Sequence, residues 1–260
     1  MGNSITCKYA FLPPQNKYSI NAFEICHINN RHVPYYIINS EFPSNGYIIF
    51  SHGNAEDIST SIECMRRFSK IVRCNIIGYD YTGYGSNIGD PSESNCDQDI
   101  LAIFLMAVKD MNIPQQNIAL MGHSIGCGPT LWLANQIQLD KLKKYNIQQG
   151  ILGSVLSISG FTSACAVVDQ RLTYIPFTDI FNNENTIKEL KMPVFIAHGL
   201  NDTIIHVSHA TRLSEAIKCK DNFELYLVED CGHNDIFSNI EFQTAILSFI
   251  ESYFQNHLIN

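Results

Sequence analysis

Residues 117 to 128 read Asn-Ile-Ala-Leu-Met-Gly-His-Ser-Ile-Gly-Cys-Gly, a pattern typical of a strand, a sharp turn and the start of a helix. An apolar run at 118 to 121 predicts a buried strand, and helical spacing from Thr130 to Ile137 predicts a helix after it. Between them, Ser124 stands in the pattern Gly-x-Ser-x-Gly, whose glycines permit a turn sharp enough to present the serine at the end of a sheet. The pentapeptide alone is also compatible with an ordinary glycine-rich turn, so the rest of the chain has to decide.

Strand and helix patterns alternate along the rest of the chain. Residues 23–28 and 33–38 are β-prone runs separated by four polar residues, which predicts an antiparallel hairpin. Six further strands are predicted, at 47–51, 74–79, 118–121, 154–159, 194–198 and 223–228. Helical patterns lie between them and at the end of the chain. The sequence therefore predicts an α/β fold with a mostly parallel, eight-stranded sheet, an antiparallel N-terminal hairpin and helices on both faces.

Composition narrows the class of protein. A chain of 260 residues with 45% hydrophobic content is long enough to bury the core of one domain. A net charge of -8, with scattered lysines and arginines, argues against nucleic acid as a partner. Nine dispersed cysteines without a Cys-x-x-Cys pair favour a reducing compartment over a disulfide framework. We expect no cofactor and no metal, and we interpret His206 and His209 as solvated residues at a helix start.

Polar residues that follow three predicted strands are candidates for a catalytic triad. In a parallel sheet the site lies beyond the carboxyl ends of the strands, and Asp202 and His233 follow the strands 194–198 and 223–228. Ser124 would be the nucleophile, His233 its base, and Asp202 the group that orients the imidazole. Either partner taken alone would be an ordinary turn residue. The order Ser, Asp, His is that of the α/β-hydrolase arrangement, and the combined pattern predicts a triad.

Two backbone amides are candidates for an oxyanion hole, which needs donors where negative charge develops. The N–H group of Ile125 follows the nucleophile directly. The N–H group of Asn54 follows the strand 47–51, and Gly53 allows a tight bend there. The alternative for this second segment is an ordinary turn from strand to helix. We interpret His123 as a packing residue whose side chain points away from the site.

The first fifteen residues predict a lipid anchor. Residues 1–6, Met-Gly-Asn-Ser-Ile-Thr, fit the pattern for N-myristoylation at Gly2, and Cys7 is a candidate for palmitoylation. One myristoyl chain binds a membrane only marginally, so Cys7 would supply the second signal. An unmodified, disordered start is the alternative. We expect an anchor segment at 1–15, a catalytic domain at 16–260, and a cytoplasmic protein that is peripheral on membranes.

Several linked motifs make the chain resemble a known family. They are Phe11-Leu12-Pro13-Pro14, Ser51-His52-Gly53-Asn54-Ala55, Tyr79-Asp80-Tyr81, Gly83-Tyr84-Gly85, Pro91-Ser92-Glu93, Ser124-Ile125-Gly126, His198-Gly199 with Asp202, and Gly232-His233-Asn234-Asp235. Together they are similar to motifs of eukaryotic α/β-hydrolase-domain serine hydrolases that act as acyl-protein thioesterases, in particular the membrane-associated depalmitoylase branch. The triad of that family carries over onto Ser124, Asp202 and His233.

Two features depart from that branch. Its members usually begin with a cluster of palmitoylated cysteines, whereas this chain has Gly2 and the single Cys7. They usually have glutamine before the nucleophile, where this chain has His123. The first departure implies an anchor of a different kind, and the second should leave the mechanism unchanged.

The resemblance implies a serine acyl hydrolase that removes long-chain thioesters, such as palmitoyl groups, from cysteines of membrane-associated proteins through an acyl-enzyme. A carboxylesterase, lipase or peptidase of the same fold is one alternative, and a membrane-tethered binding or scaffold protein without turnover is another. The interval from Ser159 to Val194 has only about thirty residues, too few for a large helical cap. We therefore expect a site open enough to admit a protein-borne acyl chain.

Overall fold

The computed structural model describes residues 10–15, 18–168 and 179–253 of the chain. Eight strands form one sheet in the order β1-β2-β4-β3-β5-β6-β7-β8. The strands are β1 Glu24–Cys26, β2 Val33–Ile38, β3 Tyr47–Ser51, β4 Asn75–Tyr79, β5 Ile118–His123, β6 Ser154–Ile158, β7 Val194–Gly199 and β8 Phe223–Val228. β2 pairs antiparallel with both β1 and β4, and the other pairs are parallel. The predicted sheet is confirmed, with a first strand shorter than expected.

Seven α-helices connect the strands or follow them in the described residues. They are α1 Ile58–Val72, α2 Glu93–Leu105, α3 Cys127–Gln138, α4 Ala164–Val168, α5 Asn183–Ile187, α6 Ser208–Ala216 and α7 Ile240–Tyr253. Side-chain hydrogen bonds and backbone conformation determine where α1 begins and ends. α1 begins in a capping box, in which the Asp57 carboxylate accepts from the Thr60 amide and the Thr60 hydroxyl accepts from the Asp57 amide, both at 3.0 Å. The last residue of α1, Val72, is followed by the C-cap residue Arg73 in the left-handed conformation.

The sheet carries a core on each face, because successive strand residues point to opposite sides. Ile49, Ile77 and Leu120 are completely buried on the face that α2 and α3 cover. Their chain neighbours Ile48, Ile76 and Met121 are completely buried on the other face, with α1 and α7. Burial of one such side chain stabilises the fold by about 1.5–3 kcal/mol. The two apolar layers hold the sheet rigid, so the loops at the carboxyl ends of the parallel strands are presented in fixed positions.

The interval between β6 and β7 is where helices were missed. α4 and α5 have five residues each, which is too short for a recognisable apolar period. Residues 169–178 of this interval lie outside the described part of the chain. The described remainder contains no large cap.

The start of the described chain packs against the domain. Phe11 is buried in the core, and its ring centroid lies 5.9 Å from that of Phe181 in an edge-to-face contact. Gly2 and Cys7, the predicted lipidation sites, lie outside the described residues. Within the described ranges, no helix is both long enough and apolar enough to cross a bilayer.

Candidate active site

Ser124 occupies a strained turn between β5 and α3. Its φ is +54°, in the left-handed region that non-glycine residues rarely adopt. Such a conformation costs about 1–3 kcal/mol and persists only where the surroundings impose it. Here the flanking glycines impose it by close packing, since a Cβ on Gly122 would lie 2.5 Å from the Gly126 oxygen and one on Gly126 would lie 2.1 Å from the Ser51 oxygen. The turn therefore needs both glycines, and it lifts Ser124 beyond the end of the sheet.

The loops after β7 and β8 bring Asp202 and His233 together. His233 Nδ1 lies 2.6 Å from Asp202 Oδ2. The other carboxylate oxygen, Oδ1, accepts from the backbone amides of Ile204 and Ile205, both at 2.8 Å. Nε2 of His198 lies 3.1 Å from Oδ2. Three of these donors bond the carboxylate alone, and the Nε2–H of His198 is shared with the Ile205 carbonyl oxygen at 2.7 Å, so the carboxylate keeps one orientation.

The same contacts keep Asp202 ionised. Burial alone raises the pKa of its carboxyl, but the hydrogen bonds from His198, His233 and the Ile205 amide reverse that effect and hold the pKa well below its usual range. Because an ionised carboxylate only accepts, His233 Nδ1 must carry the proton of this hydrogen bond. Nε2 of a neutral His233 is then the basic nitrogen, as a general base requires.

One cavity gathers the predicted site residues. Ser124 and His233 line it together with Asn54 and Ile125, and its volume is about 440 Å³. Asp202 lies behind His233, outside the lining. The rest of the wall is largely apolar, contributed by Ala10, Leu12, Phe161, Ala164, Val167, Ile204 and Ile205. The size falls within the usual range for small-molecule sites, and the lining suits a hydrocarbon chain better than a polar ligand.

His123 lines the same cavity, so the expectation that it points away from the site is wrong. Its ring centroid lies 5.2 Å from that of His233, and its Nε2 lies 3.2 Å from the His233 carbonyl oxygen. The physical reason is the missing side chain of Gly53, since a Cβ there would come within 3.0 Å of His123 Nδ1. Burial lowers the pKa of His123 to about 4, which keeps the ring neutral at physiological pH.

His209 also differs from its predicted solvated state. It is buried, and its Nδ1 accepts from the Thr162 amide at 3.2 Å, while His206 is exposed. Burial lowers the pKa of His209 to about 4. The described residues contain no group of three or more histidines, cysteines or acidic side chains placed to hold a metal ion. The hydrogen bond from the Thr162 amide to His209 links the loop after β6 to α6.

The N-terminal segment contributes to the site, which sequence reasoning missed. Asn54 Oδ1 accepts from the Leu12 amide at 2.8 Å and from the Tyr84 hydroxyl at 2.7 Å, and Asn54 Nδ2 donates to the Ala10 oxygen at 2.8 Å. Ala10 and Leu12 both line the cavity. The sequence motifs at 11–14, 51–55 and 83–85 could have indicated this contact, because the hydrogen bonds of Asn54 join Leu12 and Tyr84 to it and so connect all three motifs.

The chain is similar to known proteins over most of its length. Residues 82–258 match the model of the prolyl oligopeptidase family. The chain is 34% identical over 219 residues to alpha/beta hydrolase domain-containing protein 17B of Xenopus laevis, covering 84% of this chain and 69% of the relative. It belongs to the α/β-hydrolase domain-containing family. The human 17C protein of this family is 35% identical over 209 residues, or 80% of this chain and 59% of the relative. The Caenorhabditis elegans family protein aho-3 is 29% identical over 204 residues, or 78% of this chain and 57% of the relative.

Solved structures show the same α/β-hydrolase fold. The Pyrococcus furiosus esterase Pf2001 superposes with a TM-score of 0.70 at 17% identity, covering 94% of this chain and 99% of the esterase. Est1E from Butyrivibrio proteoclasticus, solved with ferulic acid bound, gives a TM-score of 0.67 at 16% identity, covering 89% and 98%. At these identities the likeness concerns the fold alone.

Proposed function

We propose that this α/β-hydrolase is a serine acyl hydrolase that removes long-chain acyl groups from cysteines of membrane-associated proteins. Ser124 is the nucleophile, His233 the general base and acid, and Asp202 the residue that orients His233. The observation that carries the proposal is the 2.6 Å contact between Asp202 Oδ2 and His233 Nδ1. His233 lines the same cavity as Ser124, whose backbone is strained.

The proposed reaction has two halves. Ser124 Oγ attacks the thioester carbonyl carbon while His233 Nε2 takes the hydroxyl proton; the C–S bond then breaks, and His233 returns the proton to the departing cysteine sulfur. Water next attacks the acyl-enzyme, again giving a proton to His233, and the fatty acid leaves as Ser124 regains its hydrogen. The amides of Ile125 and Asn54 are the proposed donors to the oxyanion in both halves.

The cavity mouth favours an acyl substrate. Leu12 and Ile204 both line the cavity, yet they are 57% and 56% exposed. Val167, also in the lining, is 36% exposed. Large apolar side chains that continue from a cavity to the surface offer a path along which an acyl chain stays out of water. A protein-borne chain can therefore enter while the protein that carries it stays outside.

A fluorophosphonate probe tests whether the site is catalytic. Such probes form a covalent bond only with an activated serine hydroxyl, so labelling of the purified protein is expected. A binding or scaffold protein with the same fold would stay unlabelled. Absence of labelling in a folded sample would overturn the proposed function.

The substrate preference is testable with one purified sample. We expect kcat/KM for an S-palmitoyl peptide to exceed that for a short-chain p-nitrophenyl ester and that for a peptide amide by at least tenfold, because the long chain buries more apolar area in the cavity. The Ser124→Ala protein is the control for uncatalysed thioester loss. A higher kcat/KM for the short ester would favour a carboxylesterase, and faster cleavage of the amide would favour a peptidase.

The proposed membrane partner depends on Gly2 and Cys7. In cells, Gly2→Ala should move the protein from the membrane fraction to the cytosolic fraction, because the myristoyl chain is lost. Cys7→Ser should weaken attachment less, since one chain still binds reversibly. Fractionation followed by immunoblotting measures both, with Cys64→Ser as the cysteine control. Unchanged membrane recovery of the Gly2→Ala protein would end this part of the proposal.

A further inference from the structure

Several polar groups of the turn after β3, residues 52–56, are held by hydrogen bonds. The Tyr81 hydroxyl donates to the His52 oxygen at 2.6 Å, and the Gly53 amide donates to Glu56 Oε2 at 3.1 Å. The side-chain amide of Asn54 is held by the N-terminal segment and Tyr84, as described above. Among the described residues, no acceptor pairs with the Asn54 backbone N–H. The Asn54 N–H is therefore available to a ligand in the cavity that Asn54 lines.

The imidazole of His52 lies under this turn. It is 1% exposed, and its ring centroid lies 4.3 Å from that of Tyr81. Nδ1 lies 2.8 Å from the Gly53 oxygen. Nε2 lies 3.3 Å from Asp80 Oδ1, a close ionic contact without the alignment of a hydrogen bond. Both ring nitrogens therefore face acceptors, which favours a protonated ring.

The charge on the surrounding groups agrees with that geometry. Burial alone lowers the pKa of His52, but Asp80, the Gly53 carbonyl and Glu56 outweigh it, and the net pKa is raised. Asp80 is itself fixed, because its Oδ1 accepts from the Ile58 amide at 2.9 Å and its Oδ2 accepts from the Tyr18 hydroxyl. The fixed Asp80 carboxylate thus holds His52 at Nε2, on the side of the ring opposite to the turn.

A trans peptide links the His52 contact to the cavity. The described chain has no cis peptide bonds, so the Gly53 C=O and the Asn54 N–H point in opposite directions. The carbonyl points to His52 Nδ1, and the N–H must point away from it. Gly53 and Asn54 both line the cavity that contains Ser124. The hydrogen bond from His52 therefore sets the direction of the amide on the other edge of the same peptide.

We propose that His52 is a positioning residue for the oxyanion hole: its Nδ1–H holds the Gly53 carbonyl, and this directs the Asn54 N–H at the developing oxyanion. The inference rests on the proposed function and deepens it. The hydrogen bond at the carbonyl also polarises the peptide and strengthens its N–H as a donor. Glycine at 53 has no side chain to hold the peptide in place, so the hydrogen bond from His52 is the contact that fixes the direction of the Gly53 carbonyl.

Two conservative variants separate the contacts of the ring. In His52→Asn, the side-chain nitrogen is attached at Cγ, as Nδ1 is, and it still reaches the Gly53 oxygen. In His52→Gln, the nitrogen lies farther out, near the position of Nε2, so it keeps the Asp80 contact and loses the Gly53 contact. Both substitutions remove the ring and leave a neutral amide, which makes each the control for the other.

The measurements are kcat and KM with an S-palmitoyl peptide, and Ki for hexadecyl trifluoromethyl ketone, whose adduct with a serine carries an oxyanion. Rates are expressed per site titrated with fluorophosphonate. We expect His52→Gln to lower kcat by about 100-fold, the scale for loss of one oxyanion donor, with KM little changed and Ki raised by a similar factor. His52→Asn should retain kcat and Ki within about tenfold of the original protein.

The inference is overturned if the Gln variant equals or exceeds the Asn variant in kcat and in affinity for the ketone. If one variant does not fold, the other still decides: a poorly active Asn protein, or a fully active Gln protein, contradicts the proposal. Failure of the proposed function would look different, because the original protein would neither take the probe nor hydrolyse the peptide. A normal original protein with an unaffected Gln variant rejects only the role of His52.

Discussion

Replacing Ser124 by alanine is expected to lower kcat/KM for an S-palmitoyl peptide by roughly a million-fold and to abolish fluorophosphonate labelling. The substitution deletes the Oγ atom of the proposed nucleophile. A small residual rate over water remains, because the oxyanion donors and the acyl cavity are intact. Alanine and serine both carry a Cβ, so the backbone strain at φ +54° is the same and the melting temperature should change little.

Ser248→Ala is a suitable control, since Ser248 is exposed on α7, away from Ser124. Labelling intensity, hydrolysis rate and thermal unfolding should be measured on both proteins. Hydrolysis at the original rate in a folded Ser124→Ala protein would remove this residue from the mechanism.

Asp202→Asn is expected to lower turnover by about four orders of magnitude while the fold is retained. An asparagine offers an NH₂ group where the carboxylate accepts from His233 Nδ1 at 2.6 Å. The imidazole then carries its proton on the wrong nitrogen and cannot act as a base toward Ser124. The imidazolium formed during the reaction also loses its counter-charge. The measurement is kcat at saturating substrate, per titrated site.

Asp230 and Asp235 provide matched controls because both lie close to His233 in sequence. Asp230 is exposed, and Asp235 Oδ1 accepts from the Gly232 amide at 2.9 Å, a contact within its own turn. The corresponding Asn variants should keep kcat within about tenfold. If either were more damaging than Asp202→Asn, the assignment of the acid would be wrong.

Sequence reasoning predicted the sheet because its evidence was local. Each buried strand is a short apolar run next to a turn, and the positions of Ser124, Asp202 and His233 follow from where three of those runs end. The sheet then places the ends of β5, β7 and β8 along one edge, since these strands are parallel. For this reason three residues far apart in the chain were predicted as one site.

The features that were missed depend on contacts between distant segments. The direction of His123 is set by the space above Gly53, on a neighbouring strand end. The second histidine contact of Asp202, from His198, depends on the exact course of the turn between them. Helix α5 has too few residues for a period and is held partly by the contact of its Glu184 with Arg212 on α6. Such contacts leave no local pattern in the sequence, so they could not be predicted from it.

The hydrogen bonds of Asn54 to Ala10 and Leu12 affect the order in which the protein acquires its parts during synthesis. Residues 10–12 leave the ribosome well before their partners Asn54, Tyr84 and Phe181. Domains generally fold as units once their chain has emerged. The packing of Phe11 against Phe181 therefore cannot form until residue 181 has been translated and released from the exit tunnel. A nascent chain arrested before that point would lack the ring that packs against Phe11, and it would also lack Asp202 and His233.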